Sequence, residues 1–482
     1  MKAKTPIAAT LALIVPIVGG GLAASTASAA TVPTCAGQRV TKTVTATSPR
    51  NVYGTGSKDV IRIVAGNHVV FAGAGNDVVC GSTGNDFVVG GAGNDLVFAG
   101  AGNDVVTGES GSDLLLGESG NDFVRGDDGN DGVLGGTGND NVQGHNGNDS
   151  VSGNDGDDTV SGGNGDDSVS GDNGNDRLLG DVGDDRLNGG SGNDSMSGGT
   201  GNDSMTGGSG RDDHDGGIGN DSASYAERTA PVRADDDGVA DDGVSGESDN
   251  IRSNVEGITG GSSDDSLTGN SSNNTLVGGR GDDSISGGVG DDSISGGVGD
   301  DSLNGGVGDD SIDGGIGDDS LDGGDGDDSV SGGDGDDSVS GGRGRDRIRG
   351  GSGSNRLNGG DDADDIACES GTATIIADDS DSESVDCEDE SHDGMEFKGL
   401  VTSIDEVGGT ITINITRVSD GAQTYLNNNS NPTSVTIQIG SASVSREQGG
   451  AIQIGDKVEV NVANMAGTDL VAITVSAEDP NI

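Results

Sequence analysis

Carboxylates recur in this chain at a fixed interval of nine residues, and the interval is where its chemistry must lie. Asp77, Asp86, Asp95, Asp104, Asp113, Asp122, Asp131, Asp140, Asp149, Asp158, Asp167, Asp176, Asp185, Asp194, Asp203, Asp212 and Asp221 form one unbroken series. A second series holds Asp265, Asp283, Asp292, Asp301, Asp310, Asp319, Asp328, Asp337, Asp346 and Asp364; Glu256 opens it, and Asn274 and Asn355 fill two of its places. Each Asp closes a glycine-rich hexapeptide, and an apolar residue follows two places later. The stretch Gly90-Gly91-Ala92-Gly93-Asn94-Asp95-Leu96-Val97-Phe98 shows one unit, G-G-x-G-x-D-x-U-x with U apolar. Carboxylates and turn carbonyls together offer oxygen ligands alone. That donor set suits a hard ion such as Ca²⁺, and suits Mg²⁺ less, because Mg²⁺ demands stricter geometry and keeps its waters.

The elements that would position these oxygens follow from the same unit. Glycines permit positive φ and close backbone approach, so G-G-x-G-x-D reads as a tight turn. The residues x-U-x read as a short strand whose U side chain points one way and whose neighbours point the other. Two units then make one coil, with a turn on each edge, and residues eighteen apart stack on the same edge. Pairing Asp residues eighteen apart gives fifteen pairs in the first series and eight in the second, so about 23 ions at one per pair. The side-chain ligands expected of this arrangement are the Asp residues named above.

The composition sets the limits. The chain has 482 residues, a formal net charge of −60, 96 glycines, 2% aromatics and no Trp. Few apolar residues and high charge ordinarily mean disorder. Strict self-similarity is the counter-argument, since a fixed period marks a repeat architecture. So acidic a chain repels nucleic acid and anionic membrane and favours multivalent cations.

The repeats Gly90–Phe98 and Gly287–Ser295 resemble the RTX, or haemolysin-type calcium-binding, nonapeptide family. The resemblance spans roughly residues 54–367. It implies an all-β fold, a parallel β-roll with Ca²⁺ between stacked turns, in which the Asp residues are side-chain ligands and turn carbonyls complete each site. Sites beside Asn274, Asn355 and Glu256 depart from the motif. Thr34-Cys35-Ala36-Gly37, Cys80 and Arg228-Thr229-Ala230-Pro231-Val232 look similar to secreted actinobacterial members of the family.

Lys2 and Lys4 before an apolar run from Ile7 to Leu22, then Ala27-Ser28-Ala29, read as a secretory signal peptide over residues 1–29. Cys35, Cys80, Cys368 and Cys387 suit two disulfides in an exported chain; three pairings are possible, and Cys35–Cys80 with Cys368–Cys387 is the local choice. The expected organisation is an N-terminal cap over 30–53, one array over 54–224, an irregular break over 225–255, a second array over 256–367, an acidic linker over 368–394 and a small antiparallel β-barrel-like domain over 395–482. Alternation such as Ile411, Ile413, Ile415 and Val458, Val460, Val462 supports the last.

No enzyme is expected. His68, His145, His214 and His392 are scattered, and His214, in place of a core apolar residue, reads as a fraying array end. The first of each Asp-Asp pair, as in Asp282-Asp283, is out of phase and reads as solvated. Outward positions are largely apolar early, at Val78, Phe87, Val89, Leu96, Phe98, Val105, Leu114, Leu116 and Phe123, and mostly Ser later. The N-terminal cap, tethered by Cys35–Cys80, is expected to cover one such face, leaving the other for the C-terminal domain or a partner. The sequence therefore reads as a secreted, extracellular calcium-binding repeat protein. The alternative is an extracellular adhesion protein that uses the roll as a stalk and binds a protein or cell surface.

Overall fold

A unit that alternates a glycine turn with one inward apolar residue can bury that residue only by stacking on copies of itself. The computed structural model describes residues 34–368 and 372–376 in full, and beyond them only the backbone of strand segments between 382 and 478. Every regular element among the described residues is a β-strand. Successive units lie alternately in two facing parallel sheets, and each strand pairs with the strand eighteen residues away: Val106 stands beside Val88 and Val124. The inward residues of both sheets, Val79, Val88, Val97 and Val106 among them, make one continuous buried core.

The strands are longer than x-U-x. Phe87–Ala92 is typical at six residues, because the two glycines and the residue after them join the ladder. Coils approach closely there, although Glu109, Asp127 and His145 carry side chains at the place equivalent to Gly91 in later coils. A Cβ on Gly91, at φ 112°, would lie 1.9 Å from the carbonyl oxygen of Gly73.

One sheet runs through both arrays as an open ladder of nineteen strands, from Lys42–Val44 to Ser382–Glu383. It crosses the break directly: Ser222–Ser224 pairs with Gly257–Thr259, and Ala223 stands beside Ile258. The opposite face changes over instead. An eleven-stranded sheet ends at Asn250–Ile251, and a nine-stranded sheet begins with Gly243–Val244 and Val232–Asp235. Residues 225–255 thus supply strands to the end of one sheet and the start of the next. His214 is not frayed. It is 1% exposed and paired with both Met196 and Ile251, because Ile251 supplies the core residue of the next coil.

At the N-terminus Cys35 is bonded to Cys80, and Cys35, Val60 and Val78 form a buried cluster with Val40, Cys80 and Leu96 packed against it. Of the early outward residues of the long sheet, Val78, Cys80 and Leu96 are covered there, while Leu114 is exposed. On the other sheet Phe87 is 38% exposed, and Tyr53 stacks on Phe71. Cys368 is buried and disulfide-bonded, with its partner outside the described residues. Residues 1–33, with the expected signal peptide, also lie outside them. Backbone strands from Met395–Asp405 to Thr474–Glu478 pair mainly antiparallel in one eight-stranded sheet; the expected barrel-like closure lies outside the described residues.

Because every coil leans on its neighbours through one inward residue per strand, Leu178→Ala should cost about 2–5 kcal/mol. Ser168→Ala, at an exposed position of the facing strand, should stay within about 0.5 kcal/mol. Urea unfolding at saturating calcium measures both.

Candidate metal centre

The Asp of each unit sits where the turn enters the strand, two residues before a core residue. Its side chain is therefore carried inward, and each Asp of the first series is at most 4% exposed. The coil eighteen residues upstream meets it there. The backbone N–H of Asp86 donates to Oδ1 of Asp104 at 2.6 Å, that of Asp158 to Asp176 at 2.8 Å and that of Asp319 to Asp337 at 3.0 Å. The same bond recurs down both edges, so all seventeen Asp residues of the first series stand in two stacked columns. The second series repeats the bond within its own two columns, down to Asp346 and Asp364.

The other carboxylate oxygen is different. Among the described residues, Oδ2 of every in-phase Asp from Asp77 to Asp221 is buried without a hydrogen-bond donor. The same holds for Asp283, Asp292, Asp301, Asp310, Asp319, Asp328, Asp337 and Asp346. At most steps the oxygen faces bare glycine backbone, Ala72 and Ala99 being the exceptions before Asp77 and Asp104: a Cβ on Gly90 would lie 2.5 Å from Oδ2 of Asp95 and 3.0 Å from the carbonyl oxygen of Gly108 in the next coil. Each edge is therefore a row of cradles lined by carboxylate and carbonyl oxygens, with no side chain filling them.

Electrostatics follow from this geometry. Burial pushes the carboxyls of Asp104, Asp113, Asp158 and Asp167 up to about 7; the upstream N–H opposes the shift and neighbouring carboxylates add to it. Asp95, Asp122, Asp301 and Asp310 rise to about 6 for the same first reason. Left to itself, each of these carboxyls holds its proton more tightly than a solvated carboxyl does. A hard cation answers both needs, neutralising the column and supplying the missing partner of Oδ2, and an all-oxygen donor set fits Ca²⁺.

The columns also include residues outside the strict period. Asp212 N–H donates to Oδ1 of Asp249 at 2.9 Å, and Asp221 N–H donates to Oε2 of Glu256 at 2.9 Å. Asp249 is offset by 37 residues and Glu256 by 35, so an eighteen-residue count misses Asp249. A local signal marks both: Asp249-Asn250-Ile251 and Glu256-Gly257-Ile258 repeat the acid, any residue, apolar triplet. Asn274 and Asn355 stand in the columns as well; Asn274 N–H donates to Asp292 and Asn355 Oδ1 accepts from Asp337. The residue before each Asp is exposed and linked in a ladder of opposite sense, as where Asp300 N–H donates to Asp282 Oδ1 at 3.0 Å. Asp235, Asp241 and Asp242 cluster in the break, but Arg233 bridges Asp241 at 2.7 Å and Asp235 at 3.2 Å.

The chain matches the family model of the RTX calcium-binding nonapeptide repeat in overlapping stretches over residues 53–223 and 259–366, more than half of its length. A search of curated proteins finds no match.

The raised carboxyl pKa values fix a pH dependence. Without calcium the folded roll binds protons more tightly than the unfolded chain, so protonation stabilises it. That contribution is full below the ordinary Asp value near 4 and is lost as pH rises through about 6–7. Calcium-free protein should therefore hold more β-structure at pH 5 than at pH 7.5 by far-UV circular dichroism. Bound calcium should reverse the order, because proton and ion compete for the same oxygens. Calcium-free β content that increases with pH would contradict the column electrostatics.

Proposed function

Since the chain belongs to the RTX calcium-binding nonapeptide repeat family, we propose that it is a secreted, non-enzymatic protein whose β-roll folds when Ca²⁺ binds between its stacked turns. The observation that carries this is the row of buried Oδ2 atoms without donors along both edges. The in-phase Asp residues from Asp77 to Asp364 would hold the ions, with glycine carbonyls completing each cradle. Bound calcium supplies the positive charge that makes stacked, buried carboxylates tolerable.

The chain's own residues do the rest. Upstream N–H groups orient each carboxylate, glycines keep the cradles open, and the inward Val, Leu, Ile and Met residues hold the two sheets together. A ligand that binds only the folded state stabilises that state. Extracellular calcium modules work at about 10⁻⁴–10⁻³ M, so the roll would stay unfolded at cytosolic calcium and fold after export. Export is supported by Lys2, Lys4, the run Ile7–Leu22 and Ala27-Ser28-Ala29, and the Cys35–Cys80 bond suits an oxidising compartment. In keeping with a non-enzymatic role, His214 lies in the core, where burial pushes its imidazole down to about 4.

Far-UV circular dichroism of the mature chain should show β-structure appearing with Ca²⁺ and disappearing with EGTA. A β spectrum present before calcium and indifferent to chelator at pH 7.5 would refute calcium-driven folding. Asp158→Asn with Asp176→Asn should raise the calcium concentration at the folding midpoint.

The exposed Phe87 and the Tyr53–Phe71 stack favour a second reading, in which the roll is a stalk that presents an apolar face, or the domain beyond it, to an extracellular partner. Under that reading, Phe87→Ser with Phe123→Ser, or removal of residues 395–482, should abolish binding to cells or matrix and leave the calcium transition intact. Binding unchanged by all three would eliminate it.

A further inference from the structure

Buried carboxylates at the junction of the two arrays are satisfied differently from those within them. Asp249 is fully buried and accepts at both oxygens: Oδ1 from Asp212 N–H at 2.9 Å and Oδ2 from the Tyr225 hydroxyl at 3.3 Å. Asp242 accepts from Asp235 N–H at 2.8 Å and from Ile251 N–H at 2.9 Å. Asp265 accepts from Val232 N–H and Gly261 N–H. The donor-less Oδ2 that marks every regular step is missing from all three.

The step from Asp212 to Asp249 shows what replaces it on the Asp249 side, while Oδ2 of Asp212 keeps no donor. In the preceding step on this edge, a Cβ on Gly189 would meet both Oδ2 of Asp194 and the carbonyl oxygen of Gly207 in the next coil. The corresponding glycine for Asp212 would fall at position 225, which is Tyr225. The chain leaves the regular path there and returns a cation of its own. The Arg228 guanidinium donates to the Gly208 carbonyl of the same turn and to Glu247 Oε2 at 2.9 Å, with its side chain only 20% exposed. Asp212 feels this charge: burial raises its carboxyl to about 6, Glu247 adds to the rise and Arg228 opposes it.

We propose that the Arg228 guanidinium, with the Tyr225 hydroxyl, stands in for an ion at the step between Asp212 and Asp249, so that the junction is held by the protein's own cation. The proposal rests on the reading of the regular steps as calcium sites. A guanidinium carries a permanent charge and several donors in a fixed plane, and it is covalently attached. It cannot be removed by chelator, and its charge repels a second cation from the same turn. The roll then consists of two calcium-dependent arrays joined by a seam that keeps its hydrogen bonds when calcium is withdrawn.

The test uses the full mature chain with calcium as the only probe. Native mass spectrometry at saturating calcium counts the ions on wild type, Arg228→Met and Arg211→Met; Arg211 lies exposed on the same turn. Arg228→Met should carry one ion more than wild type, and Arg211→Met the same number. An equal or lower count in Arg228→Met, with wild type normally loaded, overturns the proposal. If Arg228→Met does not fold, hydrogen exchange on wild type decides. After calcium withdrawal the Asp212 amide should keep at least tenfold more protection than the Asp104 and Asp301 amides, and equal loss at all three overturns the proposal. Failure of the broader calcium reading looks different, because wild type itself would then carry no ions.

Discussion

A column of buried carboxylates, each held at one oxygen and bare at the other, is the interaction on which everything else depends. Strands in a parallel sheet lie about 4.8 Å apart. Stacked charges at that spacing repel by on the order of 3 kcal/mol per neighbouring pair at an effective dielectric near 20. The N–H from the coil above fixes the carboxylate's direction but not its charge. At most steps Oδ2 is left facing glycine backbone, where water is excluded and no side chain fits. Within the roll, the lasting solutions to that problem are a proton, a metal ion or a built-in cation. The chain's pH response, its family's use of calcium and the special chemistry of its junction are three consequences of one geometric fact.

The same stacking explains the economy of the rest. Each strand needs one inward apolar residue, so a chain with few aromatics and a large negative charge can still form a continuous core from Val44 to Ala373. Stability in such a stack is close to a sum of nearest-neighbour terms, which makes a break in one coil costly unless contact is maintained across it. The long sheet maintains it by pairing Ser222–Ser224 straight to Gly257–Thr259, and the intervening residues rebuild the opposite face with Ile251 and Ala234 as core residues. Asp249 and Glu256 extend the two carboxylate columns of the first array by one step each into the same gap.

Much of this is legible in the residues. The nine-residue period, the apolar residue two places after each Asp, and the all-oxygen donor set define the roll and its two edges, because a strand's side chains alternate and two turns close one coil. The packing of the Cys35 segment on Val78 and Leu96 also agrees with the expected Cys35–Cys80 tether, though Leu114 of the same face stays exposed. Three things do not follow. The glycine pair's membership in the strands depends on how near the next coil comes. His214 reads as an end only while Ile251, which stacks on it, is unseen. The exposed Asp of each Asp-Asp pair, as at Asp300, takes part in a ladder that only the neighbouring coil reveals.

The sequence by itself determined the repeat, the parallel stacking, the inward core and the chemical class of the edges, since each is a local consequence of spacing within nine or eighteen residues. Tertiary structure decided which oxygen of each carboxylate is used and which is left bare, because that depends on an N–H one coil away. It also decided how residues 225–255 join the arrays: Arg228 meets Gly208 and Glu247, and Tyr225 meets Asp249, across separations that follow no period. Periodicity shows where identical environments recur. Where the environment changes once, only the packed chain brings the new partners together.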